Sequence, residues 1–350
     1  MPPGMSLLFL PASLLVGSLL WALLIDRLFG EPPTRIHPVV AMGNYLNWAA
    51  PRFVPVAESI SPDADADAVS PQRLRRLGAW YWAGGAAAVL LLAVLLQMAC
   101  VWLVQRYGLW LAAPLLALAL KPLFAWRMLA AEVQAVESAL AQSLAAGRAR
   151  LAYLVSRDTS ALSEAQVREA AIETLAENFN DSFIAPLFWF CIGGLPAAAL
   201  YRYANTADAS WGYIGARHGR NWTDAGRFAA RTDDALSWLP ARLTAALFLI
   251  AAQAGFTRKN TKNTLKNLGL EAGKTPSPNS GWPMAAMALL LQLRLGKADV
   301  YQLNPQGDLP QAPHVRAALR LCRHTWLNII WLLAAAGVFL LAVERGFFYT

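Results

Sequence analysis

Charge is what this sequence has least of. Asp, Glu, Lys and Arg make up 15% of its 350 residues, against roughly 25% in soluble domains. The deficit sits in long runs: Ser6 to Ile25, Gly78 to Val104, Leu109 to Trp126 (broken only by Lys121) and Trp326 to Val343. A soluble protein interrupts such runs every few residues to make an amphipathic face, so a water-soluble globule is excluded. Each run is about as long as the ~20 residues that cross a ~30 Å hydrocarbon core. The expected fold is all-α: a polytopic integral membrane protein with about four to six spans, read as a single membrane-embedded domain over 1–350.

Cysteine is almost as scarce. Cys100, Cys191 and Cys322 stand in or beside apolar stretches with no Cys-x-x-Cys spacing, and they read as packed thiols. The four histidines, His37, His218, His314 and His324, are scattered, which excludes a zinc-ligand pattern. Dinucleotide fingerprints and nucleophile elbows are missing too. Gly269 to Thr275 imitates a phosphate-binding loop, but it has three residues between its glycines instead of four and runs into Pro276. Its amides are therefore not organised to cradle phosphate. No Lys or Arg precedes the first apolar run, and Asp26-Arg27 comes where a cleavage site would stand, so the run reads as a retained span.

What is present begins with basic loops. The net charge of +8 would suit nucleic acid in a soluble protein. In a membrane protein basic loops report topology and contact with anionic lipid, and no nucleic-acid partner is expected. Arg27, Arg35, Arg52, Arg73, Arg75 and Arg76 fall in 26–78, and five arginines fall in 127–181. The positive-inside rule puts the N-terminus outside and the 26–78 and 127–182 loops in the cytoplasm.

Residues 202–231, 257–274 and 297–323 are basic as well, and simple alternation cannot make them all cytoplasmic. The apolar stretches between them carry helix interrupters, Pro186 and Gly193-Gly194-Leu195-Pro196 in 183–201, Pro240 and Arg242 in 238–256. One or both stretches are expected to be re-entrant or buried, since non-helical backbone at membrane depth needs protein or a wet cavity around it. Residues 58–72 read as a flexible acidic linker. Residues 127–182 read as cytoplasmic amphipathic helices, the second opened by a capping box at Ser163-x-x-Gln166.

Four polar clusters interrupt this apolar background. In the first, Glu173, Glu177 and Asp181 are four apart, one acidic stripe on a continuous helix, with Asn178 and Asn180 beside it. The stripe suits Mg²⁺ or a metal–phosphate group, and equally a solvated helix face. In the second, Asn205, Thr206 and Asp208 come after the broken stretch, either as a polar site or as an interfacial cap. In the third, Arg231, Asp233, Asp234, Trp238 and Arg242 open an apolar segment; such charges are costly there and mark function or a structural ion pair. In the fourth, Thr275-Pro276-Ser277-Pro278-Asn279-Ser280-Gly281-Trp282-Pro283 makes a rigid loop before an apolar helix over Met284 to Leu295, either a ligand-capturing loop or a plain turn.

Taken in order with Asp26-Arg27-Leu28-Phe29-Gly30-Glu31-Pro32-Pro33, His37-Pro38-Val39 and Ser156-Arg157-Asp158-Thr159-Ser160, these clusters resemble the CobD/CbiB family of adenosylcobinamide-phosphate synthases, from about Asp26 to Gly296. The resemblance implies an inner-membrane enzyme of cobalamin biosynthesis with a cytoplasmic active site. Such an enzyme uses ATP and Mg²⁺ to join aminopropanol phosphate, or aminopropanol, to a carboxylate of a corrinoid substrate. An acyl phosphate attacked by the amine needs a metal, phosphate-binding cations and a base. On that reading Glu177 and Asp181 hold Mg²⁺ with Asp208, and Arg231 and Arg242 hold phosphates. Asp233 or Asp234 takes the amine proton. Asp26, Arg27, His37, Arg157, Asp158, Asn178, Asn205, Ser277 and Asn279 are expected to bind substrate. Membrane lipid and other late cobalamin-assembly membrane proteins are the expected partners. Asp181-Ser182 departs from the Asp-Gly common in the family, and residues 58–72 look inserted. A non-catalytic signalling relative or a transporter are the competing readings.

Overall fold

A computed structural model describes residues 10–56, 70–253 and 258–347. Among them the chain is helical almost throughout, with α1 (Ala12–Phe29), α2 (Pro38–Ala49), α3 (Pro71–Tyr107), α4 (Leu109–Leu120), α5 (Trp126–Leu140) and α6 (Leu144–Leu151). After these come α7 (Glu164–Phe179), α8 (Ala185–Trp211), α9 (Arg227–Gln253), α10 (Arg258–Ala272), α11 (Gly281–Leu291) and α12 (Ala312–Phe347). Two small antiparallel hairpins complete it, β1 (Ala216–Arg217) with β2 (Arg220–Asn221), and β3 (Leu295–Lys297) with β4 (Tyr301–Leu303). Six helical stretches are long and apolar enough to cross a membrane. The protein is thus an all-α polytopic membrane protein, as its uncharged runs require.

The chain packs into two compact units, each drawn from three segments. The first comprises Met1–Ile25, Glu31–Phe124 and Pro186–Leu236; the second comprises Asp26–Gly30, Ala125–Ala185 and Ser237–Thr350.

In the first unit, α3 is the most apolar of the spans, yet it buries a glutamine, Gln97. The reason lies in α8, where Gly193 and Gly194 leave helical geometry (φ −135°, ψ 20° and φ 67°, ψ −155°) just before Pro196. The break strands backbone donors at membrane depth, where each unmade bond costs several kcal/mol. The Gln97 Oε1 accepts the Leu195 N–H at 2.8 Å. Gly194 is required twice over: its φ is positive, and a Cβ there would collide with the Gln97 amide. The interruption expected in 183–201 therefore falls at the glycine pair. Pro186 breaks nothing, because it stands in the first turn of α8.

Pro240 does not break α9 either. A proline in a helix leaves the carbonyl four residues earlier without its partner; the Trp189 Nε1–H donates to that carbonyl, Leu236, at 3.0 Å. In the β1–β2 hairpin His218 (φ 49°) and Gly219 (φ 71°) sit between the paired Arg217 and Arg220, the positive-φ pair that a two-residue turn demands. Of the acidic linker, residues 58–69 lie outside the described residues. Ser70 caps α3, accepting the Arg73 N–H at 3.3 Å, and Pro71 and Gln72 are already helical.

In the second unit, α5, α6 and α7 occupy the stretch expected to be helical. The capping box forms, with Ser163 Oγ accepting the Gln166 N–H and the Gln166 carboxamide accepting the Ser163 N–H. Trp126, Phe179 and Phe248 make the aromatic centre, with ring centroids 5.2 and 5.3 Å apart. The helix after the rigid loop is shorter than expected. It ends at Leu291, where Gln292 turns left-handed (φ 56°), and nearly all of it is buried. A helix of that length is a core element.

Candidate active site

The second unit contains a polar cavity of about 330 Å³, lined among others by Arg157, Glu173, Glu177, Asn178, Ser277, Ser280, Lys297 and Tyr301. Four segments build it, one of them the loop 154–157 that brings Arg157. Helix α7 supplies the carboxylates. Its acidic stripe is Glu169, Glu173 and Glu177, one turn apart, with Glu169 and Glu173 buried. Asp181 does not continue the stripe, because Asn180–Ile184 form a π-helical turn, and the wider i→i+5 pattern rotates its residues off the α-helical register. Asp181 instead accepts the Asn180 Nδ2–H at 2.7 Å, and the Asn180 Oδ1 accepts the Thr244 hydroxyl at 2.9 Å.

The loop 275–280 supplies hydroxyls beside the first turn of α11. Ser277 Oγ accepts the amides of Asn279 (3.2 Å) and Ser280 (3.3 Å), while Thr275 Oγ1 donates to the Ser277 carbonyl. The loop is thus held by its own side chains, which is why Ser, Thr and Asn recur in it. Arg242 braces it from α9. Its guanidinium lies between Trp238 (4.1 Å) and Trp282 (4.6 Å) and donates to the Asn279 Oδ1 at 3.3 Å and the Pro278 carbonyl at 3.4 Å.

The β3–β4 hairpin supplies a wall that no sequence motif marked. Tyr301 donates to Glu173 Oε1 at 2.8 Å, and Arg157 pairs with Glu173 Oε2 at 3.2 Å. Burial and the adjacent Glu173 hold the Tyr301 phenol above its ordinary pKa, so it remains a donor. Lys297 reaches the cavity from β3. Glu271 ties hairpin to loop: one oxygen accepts Lys274 Nζ and the other the Asn304 N–H, both at 2.6 Å. The hairpin had a sequence signal in Gly296, where a Cβ would press on the Tyr301 carbonyl, but its Lys297 reads in sequence only as part of a basic loop.

The remaining candidates divide. Asp158 does not line the cavity. Its carboxylate accepts the Ser160 amide (2.9 Å) and hydroxyl (2.8 Å), which hold its pKa below the usual range. Buried Asp26 accepts the Arg127 N–H at 3.1 Å in the first turn of α5, where a carboxylate is favoured. The Arg27 carbonyl accepts from Arg127 Nη1 at 3.3 Å.

In the first unit, His37 caps α2 with Nδ1, which accepts the Val39 N–H at 3.2 Å. Its Nε2 faces Glu31 at 3.2 Å, and Glu31 pairs with buried Lys121 at 2.7 Å. Further along the chain, Asn205 Nδ2 donates to Asp233 Oδ1, and Arg202 donates to the Asn205 Oδ1, both at 3.3 Å. Asp234 is half-buried beside Asp233, Arg231 is exposed, and Asp208 stands close against Gly212. Among the described residues no three His, Cys, Asp or Glu side chains gather as a metal-ligand group. Of the cavity's two carboxylates, Glu173 is engaged by Arg157 and Tyr301; Glu177, beside Asn178 and two cations, suits Mg²⁺ carried in with phosphate, which takes one or two protein carboxylates.

Comparison with known proteins places the chain. It is 35% identical to the probable cobalamin biosynthesis protein CobD of Methanothermobacter thermautotrophicus, covering 93% of this chain and 98% of that protein. It is 38% identical to the cobalamin biosynthesis protein CobD of Chromobacterium violaceum, covering 90% and 95%. The match to the Brucella suis protein of the same name is 35%, covering 91% and 95%. No solved structure matches. The CobD/Cbib protein family matches residues 19–322, spanning both the cavity and the polar cluster of the first unit, and the chain belongs to that family.

Proposed function

We propose that this protein works in cobalamin biosynthesis as an adenosylcobinamide-phosphate synthase of the cell inner membrane, with its active site on the cytoplasmic side. The reaction joins the amine of (R)-1-aminopropan-2-ol O-phosphate to a carboxylate of adenosylcobyric acid. The observation that carries this is the cavity. Arg157, Lys297, Ser277 and Ser280 offer cations and hydroxyls to a phosphate ester, while Glu173 and Glu177 offer carboxylates to an ammonium group. A phosphorylated amino alcohol carries both charges on one small skeleton, and the cavity favours it over the free amino alcohol. ATP with Mg²⁺ supplies the activation that amide formation needs.

The chain's own residues bind, orient and move protons. Arg157 and Tyr301 fix both oxygens of Glu173, and Glu177, one turn along α7 on the cavity wall, is assigned to meet the amine or a phosphate-borne metal ion. Glu271 and Arg242 hold the hairpin and the loop in place and act as positioning residues. Asp208, Asp233 and Asp234 belong to the first unit's polar cluster, and no step in this cavity is assigned to them. The corrinoid, membrane lipid and other late cobalamin-assembly membrane proteins remain the proposed partners. No observation favours a signalling modulator or a transporter.

The test uses the full-length protein in detergent or lipid discs with adenosylcobyric acid, aminopropanol phosphate, ATP and Mg²⁺. ATP-dependent formation of adenosylcobinamide phosphate, read by mass, is expected. Absence of ATP-dependent consumption of both substrates removes the reading.

A further inference from the structure

The first unit holds a second cavity, larger than the polar one and opposite in character. It measures about 560 Å³, within the range of small-ligand pockets (roughly 300–1,000 Å³). One wall is a face of α3, where Gly85, Ala88, Val89, Leu92, Ala93 and Leu96 recur at helical spacing. No lining residue carries a charge, and the polar side chains among them are the tyrosines Tyr45 and Tyr203. Both hydroxyl hydrogens are already used. Tyr45 donates to the Tyr81 carbonyl at 2.7 Å and Tyr203 to the Trp82 carbonyl at 3.1 Å. Gly85 makes room for that arrangement, since a Cβ there would strike both rings. The tyrosines therefore present ring carbon to the cavity, which offers a ligand no free hydroxyl proton.

The cavity is also continuous with the surface that meets lipid. In its most apolar stretch α3 is only 22% buried by protein. Leu92 and Leu96, which line the cavity, are themselves 59% and 43% exposed. An apolar void excludes water and forfeits dispersion contacts while empty. In a bilayer the molecule at its open side is hydrocarbon. We infer that this cavity binds the acyl chain of a membrane lipid, seated between α2, α3, α4 and α8 as a resident ligand of the first unit. The site is separate from the proposed chemistry.

The test reconstitutes the full-length protein in lipid discs of phosphatidylcholine bearing a diazirine on one palmitoyl chain, with irradiation, digestion and mass mapping. Adducts are expected on Val89, Leu92 and Ala93 in excess over Leu91 and Leu95, exposed α3 residues outside the cavity. Ala88→Trp, or Ala119→Phe from the α4 wall, fills the space and should level the two faces. Equal labelling in the unsubstituted protein overturns the inference. So does an excess that survives in a correctly folded filled variant, or loss of the label on adding a corrinoid, which would make the cavity a substrate site. The unsubstituted map decides even where both filled variants fail to fold.

Discussion

The two cavities use the same residue type for opposite ends. In the first unit Tyr45 and Tyr203 direct their hydroxyls into α3 backbone carbonyls, and what remains is a dry, apolar space. In the second, Tyr301 directs its hydroxyl at a buried carboxylate, among two cations and three serines. The character of each space depends on where the phenol proton goes, which residue identity alone does not state. A tyrosine bonded to backbone is part of the scaffold; one bonded to a charged side chain is part of the site's electrostatics.

The comparison is broken most severely by removing what lets the first unit form. Gly194→Ala forces an L-residue into positive φ and drives a Cβ into Gln97, and strain of this kind costs about 1–3 kcal/mol before the collision is counted. Loss of the folded protein in detergent at moderate temperature is expected, read by thermal unfolding, and an unchanged midpoint would refute the account of the break. Gln97→Leu tests the partner side and should cost about 1–3 kcal/mol for the stranded Leu195 N–H.

Next in size are the cations of the second cavity. Arg157→Ala or Lys297→Ala should lower the rate of adenosylcobinamide phosphate formation by ~10²-fold with the fold intact. Arg157→Lys should restore little, because a lysine cannot reproduce the guanidinium's planar geometry. Rates within a factor of two of the unsubstituted enzyme would take the phosphate away from this cavity.

Tyr301→Phe is a smaller change, about tenfold on activity for one hydrogen bond to a charged group. It carries a pH signature as well. The phenol's pKa is raised in the folded state, so the stability it contributes is present below the ordinary phenol value of ~10 and is lost as pH rises above it. Unfolding measured from pH 8 to 11 should show that alkaline loss diminished in Tyr301→Phe. Smallest of all is Asp158→Asn. The folded-state pKa of Asp158 is lowered, so its contribution is present above ~3.9 and disappears as pH falls through the folded value. The carboxylate is exposed, and activity at neutral pH should not change. A large loss would make it a substrate contact after all.

Length and charge made the spans legible, since neither depends on tertiary partners. Gly193-Gly194 was legible as a break and Ser163 as a cap for the same reason: both are local. Pro240 misled because its compensation, the Trp189 indole, is 51 residues away in sequence. The π turn at Asn180–Ile184 misled because helical spacing presumes an unbroken i→i+4 pattern, and Asp181 left the stripe with it. In the site, Arg157, Glu177, Asn178 and Ser277 were legible through their motifs. Lys297, Tyr301 and Glu271 were not, because a three-residue strand carries too little periodicity to stand out.

Gln97 has a consequence for biogenesis. A span as apolar as α3 inserts readily, but α8 with its glycine pair cannot satisfy its own backbone in hydrocarbon. Until α3 lies alongside, both the carboxamide of one and the Leu195 amide of the other are orphaned in lipid. The two segments are therefore interdependent during synthesis, with α3, made first, acting as an intramolecular chaperone for α8. A nascent chain in which they fail to meet carries a polar lesion at membrane depth, the kind of defect that membrane quality control detects.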